Sequence, residues 1–390
     1  MMGAWPLPWR PAVTMFLAVI SVAALWATGI DPAGVLASIY WPGIFVLQLT
    51  VVTAPWRAVP VGRIGLMFLL GMSVVPAVTL AAQAGMYALV NTDPVQQILV
   101  SEEVLGNYDL MAPVVAPITE ELLKIAPLVV FLSWGRRAAW RRILGPLDLA
   151  LLAGASGAGF EFVENLLRVA DGYWAPLGVD RVVPVASPIL GPFHLFPDMI
   201  GSTYFGVDTV WFGHGEMSAW VGLAIGLGLF LGRKLRFWWL LPSAALAWAT
   251  WDHFLVNYLG PAPSQAWAQV LPALDLYGGL LPYVFLAALV FSIFLASRTQ
   301  SWYLSLDRGA AADMVSFGLL GSLITNPRLA PGRVAAIWRF WRLRRGVGYG
   351  MRDFVQAPPR RAVHWAAWLE ALREEMLGQK RLVSEGRAVK

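Results

Sequence analysis

The stretch APITEELLKIAPLVVFLSW, residues 116–134, has the length of a membrane-spanning helix but carries three charged side chains near its start. Roughly 20 apolar residues are enough to cross the hydrocarbon core of a bilayer. Each charged group placed there costs at least about 2.5–3.5 kcal/mol. Glu120, Glu121 and Lys124 therefore need a function, or a compensating partner, inside the membrane.

The rest of the chain has the composition of a polytopic membrane protein. Of its 390 residues, 58% are hydrophobic and only 14% are charged, whereas soluble domains carry about 25% charged residues. There is no cysteine, which excludes disulfides, a thiol nucleophile and a thiolate metal site. We predict an all-α transmembrane bundle of about eight helices. The apolar windows are 12–30, 35–54, 64–90, 113–134, 146–170, 210–232, 238–259 and 279–297.

The connecting segments alternate between basic and acidic along the chain. By the positive-inside rule the basic side faces the cytoplasm, and both termini lie on that side. The acidic segments, which include 92–112 and the long loop 171–209, then lie outside. The basic side holds Arg10, Arg57 with Arg63, the stretch 135–142, the stretch 232–236 and the C-terminal tail.

The positive charge is concentrated in the C-terminal part. Residues 298–390 hold sixteen Lys and Arg against seven Asp and Glu. Attraction to a membrane surface explains this excess more simply than nucleic-acid binding does. We predict a transmembrane domain over 1–297 and a basic cytoplasmic tail over 298–390. Within the tail, 331–352 mixes Trp, Phe and Arg as interfacial segments do, and 358–383 predicts an amphipathic helix after a Pro start.

Polar side chains interrupt four of the predicted spans, the fourth to the seventh. Because neighbouring spans run antiparallel, the key groups fall at one level, within roughly 5–15 Å of the outer boundary. Small-residue runs at 153–160 and 222–232 would let helices approach closely around them. The interrupting residues are Glu120, Glu121 and Lys124; Glu161, Glu164 and Asn165; His214, Glu216 and Ser218; and Asp252, His253 and Asn257.

The spacing of these groups assigns candidate roles. Glu120 and Glu121 point about 100° apart on a helix, so one of them faces the reaction centre. The other pairs with Lys124 or orients a neighbour. The catalytic candidates are Glu120, Glu121, Glu164, His214 and His253, and the supporting candidates are Lys124, Asn165, Ser218 and Asn257. We assign Glu161, Glu216 and Asp252 either to the rim of the site or to positions behind the catalytic groups, and His194 and His364 to a loop and the surface.

Carboxylates and imidazoles without a Ser-His-Asp order, a cysteine or an HExxH motif suit the activation of a water molecule. The pattern favours metal-free activation. Two His with Glu also match a catalytic zinc set, whose ligands would be Glu121, Glu164, His214 and His253, so both routes stay open. Two other functions remain: a proton-coupled transporter, although no internal repeat typical of transporters is found, and a non-catalytic scaffold.

The polar segments resemble the motifs of the PrsW family of glutamic-type intramembrane proteases, which is related to the CAAX-protease and bacteriocin-processing enzymes. TEELLK resembles the EExxK motif and FEFVEN the FxxxEN motif, while GHGEMSAWVG and DHFLVN resemble two histidine motifs. All four occur in order within 113–258. The resemblance implies that Glu120 and Glu121 form the catalytic pair, that Glu164 and Asn165 supply a second acid and its amide, and that His214 and His253 are the imidazoles.

The same resemblance implies a function for the whole transmembrane domain. It implies an endopeptidase of a bacterial cell membrane that hydrolyses a membrane-anchored protein near the outer face. Some members of the family cleave a single-span anti-sigma factor as the first step of a signalling cascade. The long loop 171–209 and the basic tail depart from the family pattern, which leaves the substrate, the regulation and the oligomeric state open.

Overall fold

The structure is a computed structural model that describes most of the predicted spans. The first predicted span, 12–30, lies outside the described residues except for positions 16 and 29. His194 and His364 also lie outside them. The described residues are 16, 29, 32–90, 114–134, 144–170, 200–204, 207–232, 236–259, 280–305, 340, 343–345, 347, 370–371 and 373–378.

Seven long helices correspond to predicted spans two to eight. They are α1 (Pro32–Val52), α2 (Val61–Val90), α3 (Ala116–Trp134), α4 (Pro146–Ala170), α5 (His214–Leu231), α6 (Leu240–Leu259) and α7 (Leu280–Ser305). Among the described residues, five of them (α1, α2, α4, α5 and α7) are long and apolar enough to cross a membrane. Helices α3 and α6 are not among these five. Three charged side chains, Glu120, Glu121 and Lys124, lie on α3, and Asp252 and His253 lie on α6.

Helix α4 lies at the centre of the bundle. Its potential span, Pro146–Arg168, is 94% buried, compared with 28% for the span in α2 and 33% for that in α7. It packs most extensively against α5, then against α2 and α1. The helix begins with Pro146 and has Asp148 in its first turn and Arg168 in its last, which suits the helix dipole. A helix in this position can present side chains to several neighbours at once.

The glycines of the small-residue runs allow the close helix packing that the sequence predicts. A Cβ atom on Gly222 of α5 would come within 2.5 Å of the Cβ of Ala153 on α4. On α2, a Cβ on Gly71 would overlap the carbonyl group of Ser156 on α4. Such contacts bring backbones together where lipid offers no hydrophobic driving force for association.

Gly71→Ala is expected to destabilise the bundle by about 1–3 kcal/mol, the usual cost of overpacking, because the atom it meets is backbone that cannot rotate away. Gly65→Ala on the same helix is the matched control, since nothing lies within 4 Å of a Cβ at that position. Thermal unfolding in detergent gives the unfolding midpoint of each variant. Equal midpoints for the two would show that α2 and α4 are less closely packed than described.

A β-hairpin precedes α5 in the otherwise helical bundle. Strand β1 (Ile200–Tyr204) pairs antiparallel with β2 (Val207–Trp211), with Ile200 opposite Trp211 and Tyr204 opposite Val207. From the sequence, this part of the chain is expected to be the end of the long loop and the start of span six. The helix begins later than predicted, at His214. The hairpin therefore ends only three residues before that histidine.

A short part of the C-terminal tail packs against the bundle. Phe340, Leu343 and Val347 are buried, although the sequence suggested a segment at the lipid interface. The guanidinium of Arg345 lies 3.4 Å from the carboxylate of Asp148, and both side chains are fully buried. Asp148 also accepts hydrogen bonds from the backbone amides of Ala58, Val59 and Gly145. Within the predicted amphipathic helix, residues 370–371 and 373–378 are helical.

Candidate active site

Six ionisable side chains from four helices meet at one end of the bundle. On α4 this end is about 24 Å from Asp148, at 1.5 Å per residue. The sequence predicts that antiparallel helices bring these groups to one depth in the membrane. In the structure they lie within contact distance of one another. The six are Glu120, Glu121 and Lys124 on α3, Glu164 on α4, His214 on α5 and His253 on α6.

Glu121 is the centre of this cluster. Its Oε1 accepts a hydrogen bond from Lys124 Nζ at 2.5 Å and lies 2.9 Å from His253 Nδ1. The side chains of Glu121 and Lys124 are completely buried. Glu121 Oε2 is buried too and has no hydrogen-bond partner among the described residues. Removing one member of such a buried pair leaves an uncompensated charge, which is strongly destabilising.

The imidazole of His214 is held on both sides. Its Nε2 lies 2.5 Å from Glu164 Oε2, and its Nδ1 lies 2.6 Å from Lys124 Nζ. A lysine ammonium can only donate, so Nδ1 accepts and the ring proton sits on Nε2, where it is donated to Glu164. The ring of Phe160 packs nearly perpendicular to the imidazole at a centroid distance of 5.3 Å. These contacts fix both the tautomer and the orientation of the ring.

His253 and Glu120 face each other across a gap. With His253 Nδ1 bound to Glu121, the remaining ring nitrogen, Nε2, lies 3.8 Å from Glu120 Oε2. Glu120 is oriented by Gln83 of α2, whose Nε2 donates to Glu120 Oε1 at 3.2 Å. Gln83 is not among the predicted site residues, although a lone amide in the apolar run of α2 is a signal that the sequence offers. A polar contact of this length leaves space for a bridging atom.

Exposure increases from one side of the cluster to the other. The Glu121 side chain is 0% exposed, His253 7% and Glu120 14%, while Glu164 is 28% exposed. Glu164 also pairs with Arg168, which is 45% exposed. The buried anion therefore lies behind groups that a small molecule can reach.

A groove of about 530 Å³ separates α3 from α6 beside the cluster. Its walls are mostly apolar and include Ile118 and Leu122 of α3 together with Trp251 and Phe254 of α6. The same helical turns carry Glu120, Glu121 and His253 on other faces. An apolar surface thus adjoins the polar cluster.

The sequence model of one protein family, described as PrsW family intramembrane metalloprotease, matches residues 59–295. The chain belongs to the PrsW family. The matched region runs from the start of α2 into α7 and contains all four polar segments of the sequence analysis, so the predicted resemblance is confirmed. Membership identifies the chain as an integral membrane protein and an intramembrane protease. No match was found among curated proteins or among solved structures.

The description of the PrsW family as metalloproteases raises the question of whether these residues fit a metal. Ligand atoms of Glu120, His214 and His253 all lie within 4.8 Å of one another. Two imidazoles and a carboxylate form a common catalytic zinc set. The bond from His253 Nδ1 to Glu121 is the carboxylate–histidine arrangement that orients metal-binding imidazoles. The donor set therefore fits zinc, with Glu120 in the place that the sequence analysis gave to Glu121 and Glu164.

Several predicted residues lie beside the cluster of this PrsW protein rather than in it. The amide of Asn165 donates to the carbonyl oxygen of Ser38 on α1 at 3.4 Å. Ser218 Oγ is buried without a hydrogen-bond partner among the described residues, and Asn257 lies one turn beyond His253 and is partly exposed. Three further acids, which the sequence places at the rim or behind the catalytic groups, are all buried: Glu161, Glu216 and Asp252.

Proposed function

We propose that this PrsW-family protein is an endopeptidase that uses Glu120, Glu121, Lys124, Glu164, His214 and His253 to hydrolyse a membrane-anchored protein. The observation that carries the proposal is the convergence of three carboxylates and two imidazoles in a cluster that is partly open. Such a set can hold a water molecule, take its proton and return a proton to the leaving amine. The apolar groove between α3 and α6 is suited to binding a substrate segment that lies in the membrane.

The gap between Glu120 and His253 is the proposed place of the attacking water. A water there would contact Glu120 Oε2 and His253 Nε2, which are 3.8 Å apart. Because Nδ1 of His253 is engaged with Glu121, Nε2 is left as the nitrogen that faces this water. Glu120 is the more accessible member of the glutamate pair, and we propose it as the general base.

Glu121 and Lys124 have supporting roles in this mechanism. Glu121 orients His253 and is held as an anion by the ammonium of Lys124. Lys124 also binds His214 Nδ1, so the Nε2 proton of His214 is directed toward Glu164. That proton can pass through the Glu164 carboxylate to the departing amine while Nδ1 takes a proton from the ammonium of Lys124. The proton that Glu120 removed from the water then restores the ammonium.

A divalent cation fits into the same arrangement. Glu120, His214 and His253 would hold it, and a bound zinc ion would supply Lewis-acid polarisation of the scissile carbonyl and of a water molecule. Glu121 would still orient His253, whereas His214 would give up either its bond from Lys124 or its Nε2 proton in order to present a lone pair to the cation.

The distribution of charge supports a site near the outer face. Arg57, Arg63 and the tail residue Arg345 lie at the end of the bundle away from the cluster. By the positive-inside rule that end is cytoplasmic. The substrate would then be cut close to its extracytoplasmic flank, and a single-span anti-sigma factor is the substrate class that the family resemblance suggests.

His214→Ala is expected to lower the cleavage of single-span substrates by about 10²–10⁴-fold, the usual contribution of a group that transfers a proton. The purified protein in proteoliposomes is incubated with such substrates, and mass spectrometry identifies the products. Cleavage by His214→Ala at the wild-type rate would contradict the proposal. Solute uptake without cleavage in the wild type would favour a transporter instead.

A further inference from the structure

Glu161 is a buried acid that the proposed chemistry leaves unused. Its residue is only 3% exposed, and it lies on α4 one turn before Glu164. Ionisable groups inside a membrane bundle are costly and are retained where they have a defined partner. Glu161 Oε2 accepts a hydrogen bond from the backbone amide of Gly215 at 3.2 Å. This bond joins α4 to the first turn of α5.

The first turn of α5 is held by two carboxylates, one on each side of His214. The amides of the first helical turn have no partner within the helix. Glu216 Oε2 accepts from the amide of Gly213 at 3.1 Å, and Glu161 accepts from the amide of Gly215. Carboxylates at this position also interact favourably with the helix dipole. The backbone of His214 is thus fixed immediately before and immediately after the residue.

One stripe of α4 contacts this turn at four points. Gly157, Phe160, Glu161 and Glu164 occur at positions i, i+3, i+4 and i+7, which lie on one helix face. A Cβ on Gly157 would overlap the carbonyl oxygen of His214. The ring of Phe160 packs nearly perpendicular to the imidazole, and Glu164 binds Nε2. The same face therefore holds the backbone of His214 through Glu161 and its ring through Glu164.

We propose that Glu161 is a positioning residue for His214, which fixes the first turn of α5 so that the imidazole keeps a single orientation between Lys124 and Glu164. The inference rests on the proposed function, in which His214 transfers a proton. Glu161 does not touch the reacting atoms. We assign its effect on the orientation of His214 to the reach of its side chain to the Gly215 amide, whereas its charge acts only through the dipole of α5.

Two conservative variants separate reach from charge. Glu161→Gln keeps an oxygen at the same distance and loses the charge, whereas Glu161→Asp keeps the charge and is too short by one methylene. We expect Glu161→Asp to lower kcat by about 100-fold with KM unchanged, since a misplacement of about 1 Å has that effect. Glu161→Gln should retain a kcat close to that of the wild type. Ser156→Ala is the matched control, because Ser156 is also buried on α4 and its hydroxyl has no hydrogen-bond partner among the described residues.

A spectroscopic measurement tests the same inference independently of cleavage. The chain has four histidines, so ¹⁵N-histidine labelling gives few imidazole signals, and His214→Ala assigns the one of interest. That signal is expected to shift in Glu161→Asp and to stay in place in Glu161→Gln and Ser156→Ala. An unshifted His214 signal in Glu161→Asp, or a Glu161→Gln variant as impaired as Glu161→Asp, would overturn the inference. If no variant and no wild-type protein cleaves any substrate, the proposed function fails, while the signals still report whether Glu161 positions the ring.

Discussion

Glu120→Gln is expected to lose cleavage while keeping its stability, and Glu121→Gln is expected to lose both. In the first variant the loss should be about 10²–10⁴-fold in kcat, as expected for a general base. The fold should tolerate it because Glu120 is partly exposed, and a glutamine there can still accept the hydrogen bond from Gln83. The two variants are expected to differ in stability because Glu121 is completely buried and Glu120 is not.

The Glu121→Gln variant leaves the ammonium of Lys124 buried without its anion. Breaking a buried pair in this way costs about 3–5 kcal/mol. It also removes the carboxylate that orients His253, so cleavage should fall as far as in Glu120→Gln. Adding Lys124→Met removes the uncompensated charge, and the double variant should regain much of the stability without regaining cleavage.

Thermal unfolding in detergent and cleavage rates, measured on the same preparations, compare these variants. Glu370→Gln is the matched control, because Glu370 lies in the tail and is 62% exposed. It should match the wild type in both measurements. Our assignment of roles would be wrong if Glu121→Gln were as stable as the wild type, or if Glu120→Gln still cleaved at the wild-type rate.

The sequence predicted the cluster because its signal is strong and local. Charged residues in apolar helices are conspicuous, and antiparallel spans allow only a few relative depths, so Glu121, Glu164, His214 and His253 could be grouped before their contacts were known. The pairing of one neighbouring glutamate with Lys124 also followed from helical spacing. In the structure that glutamate is Glu121.

Other features depend on tertiary contacts that spacing does not encode. Gln83 orients Glu120 from a different helix, α2. The amide of Asn165 binds the carbonyl oxygen of Ser38 on α1, and helical periodicity does not specify the side-chain rotation that brings it there. The hairpin before α5 could not be predicted from the sequence, because its two strands are separated by Phe-Gly and not by the Asn-Gly or Asp-Gly pair that is typical of tight hairpins. The ion pair between Arg345 and Asp148 joins residues almost 200 positions apart.

Removal of metal is expected to lower cleavage by at least about 100-fold, because a bound catalytic cation supplies several kcal/mol of charge stabilisation in the transition state. The reason is the donor set, in which Glu120, His214 and His253 offer ligand atoms within 4.8 Å of one another. Purified protein should contain about one divalent cation per chain by elemental analysis, and a chelator should remove it. Zinc should then restore the activity, because two imidazoles and a carboxylate are the ligands it prefers.

The variants connect this cation to particular side chains. His253→Ala should purify with little bound metal, and Glu121→Gln should bind it more weakly because the imidazole loses its orienting carboxylate, an effect of about 10–100-fold on affinity. His364→Ala, in the tail, should keep the wild-type metal content. Full cleavage by metal-free protein would contradict the expectation, and Glu120 with His253 would then activate the water unaided, as the sequence pattern alone favoured. The metal content of His253→Ala therefore tests the site even where no substrate is at hand, since binding of the ion and hydrolysis are measured separately.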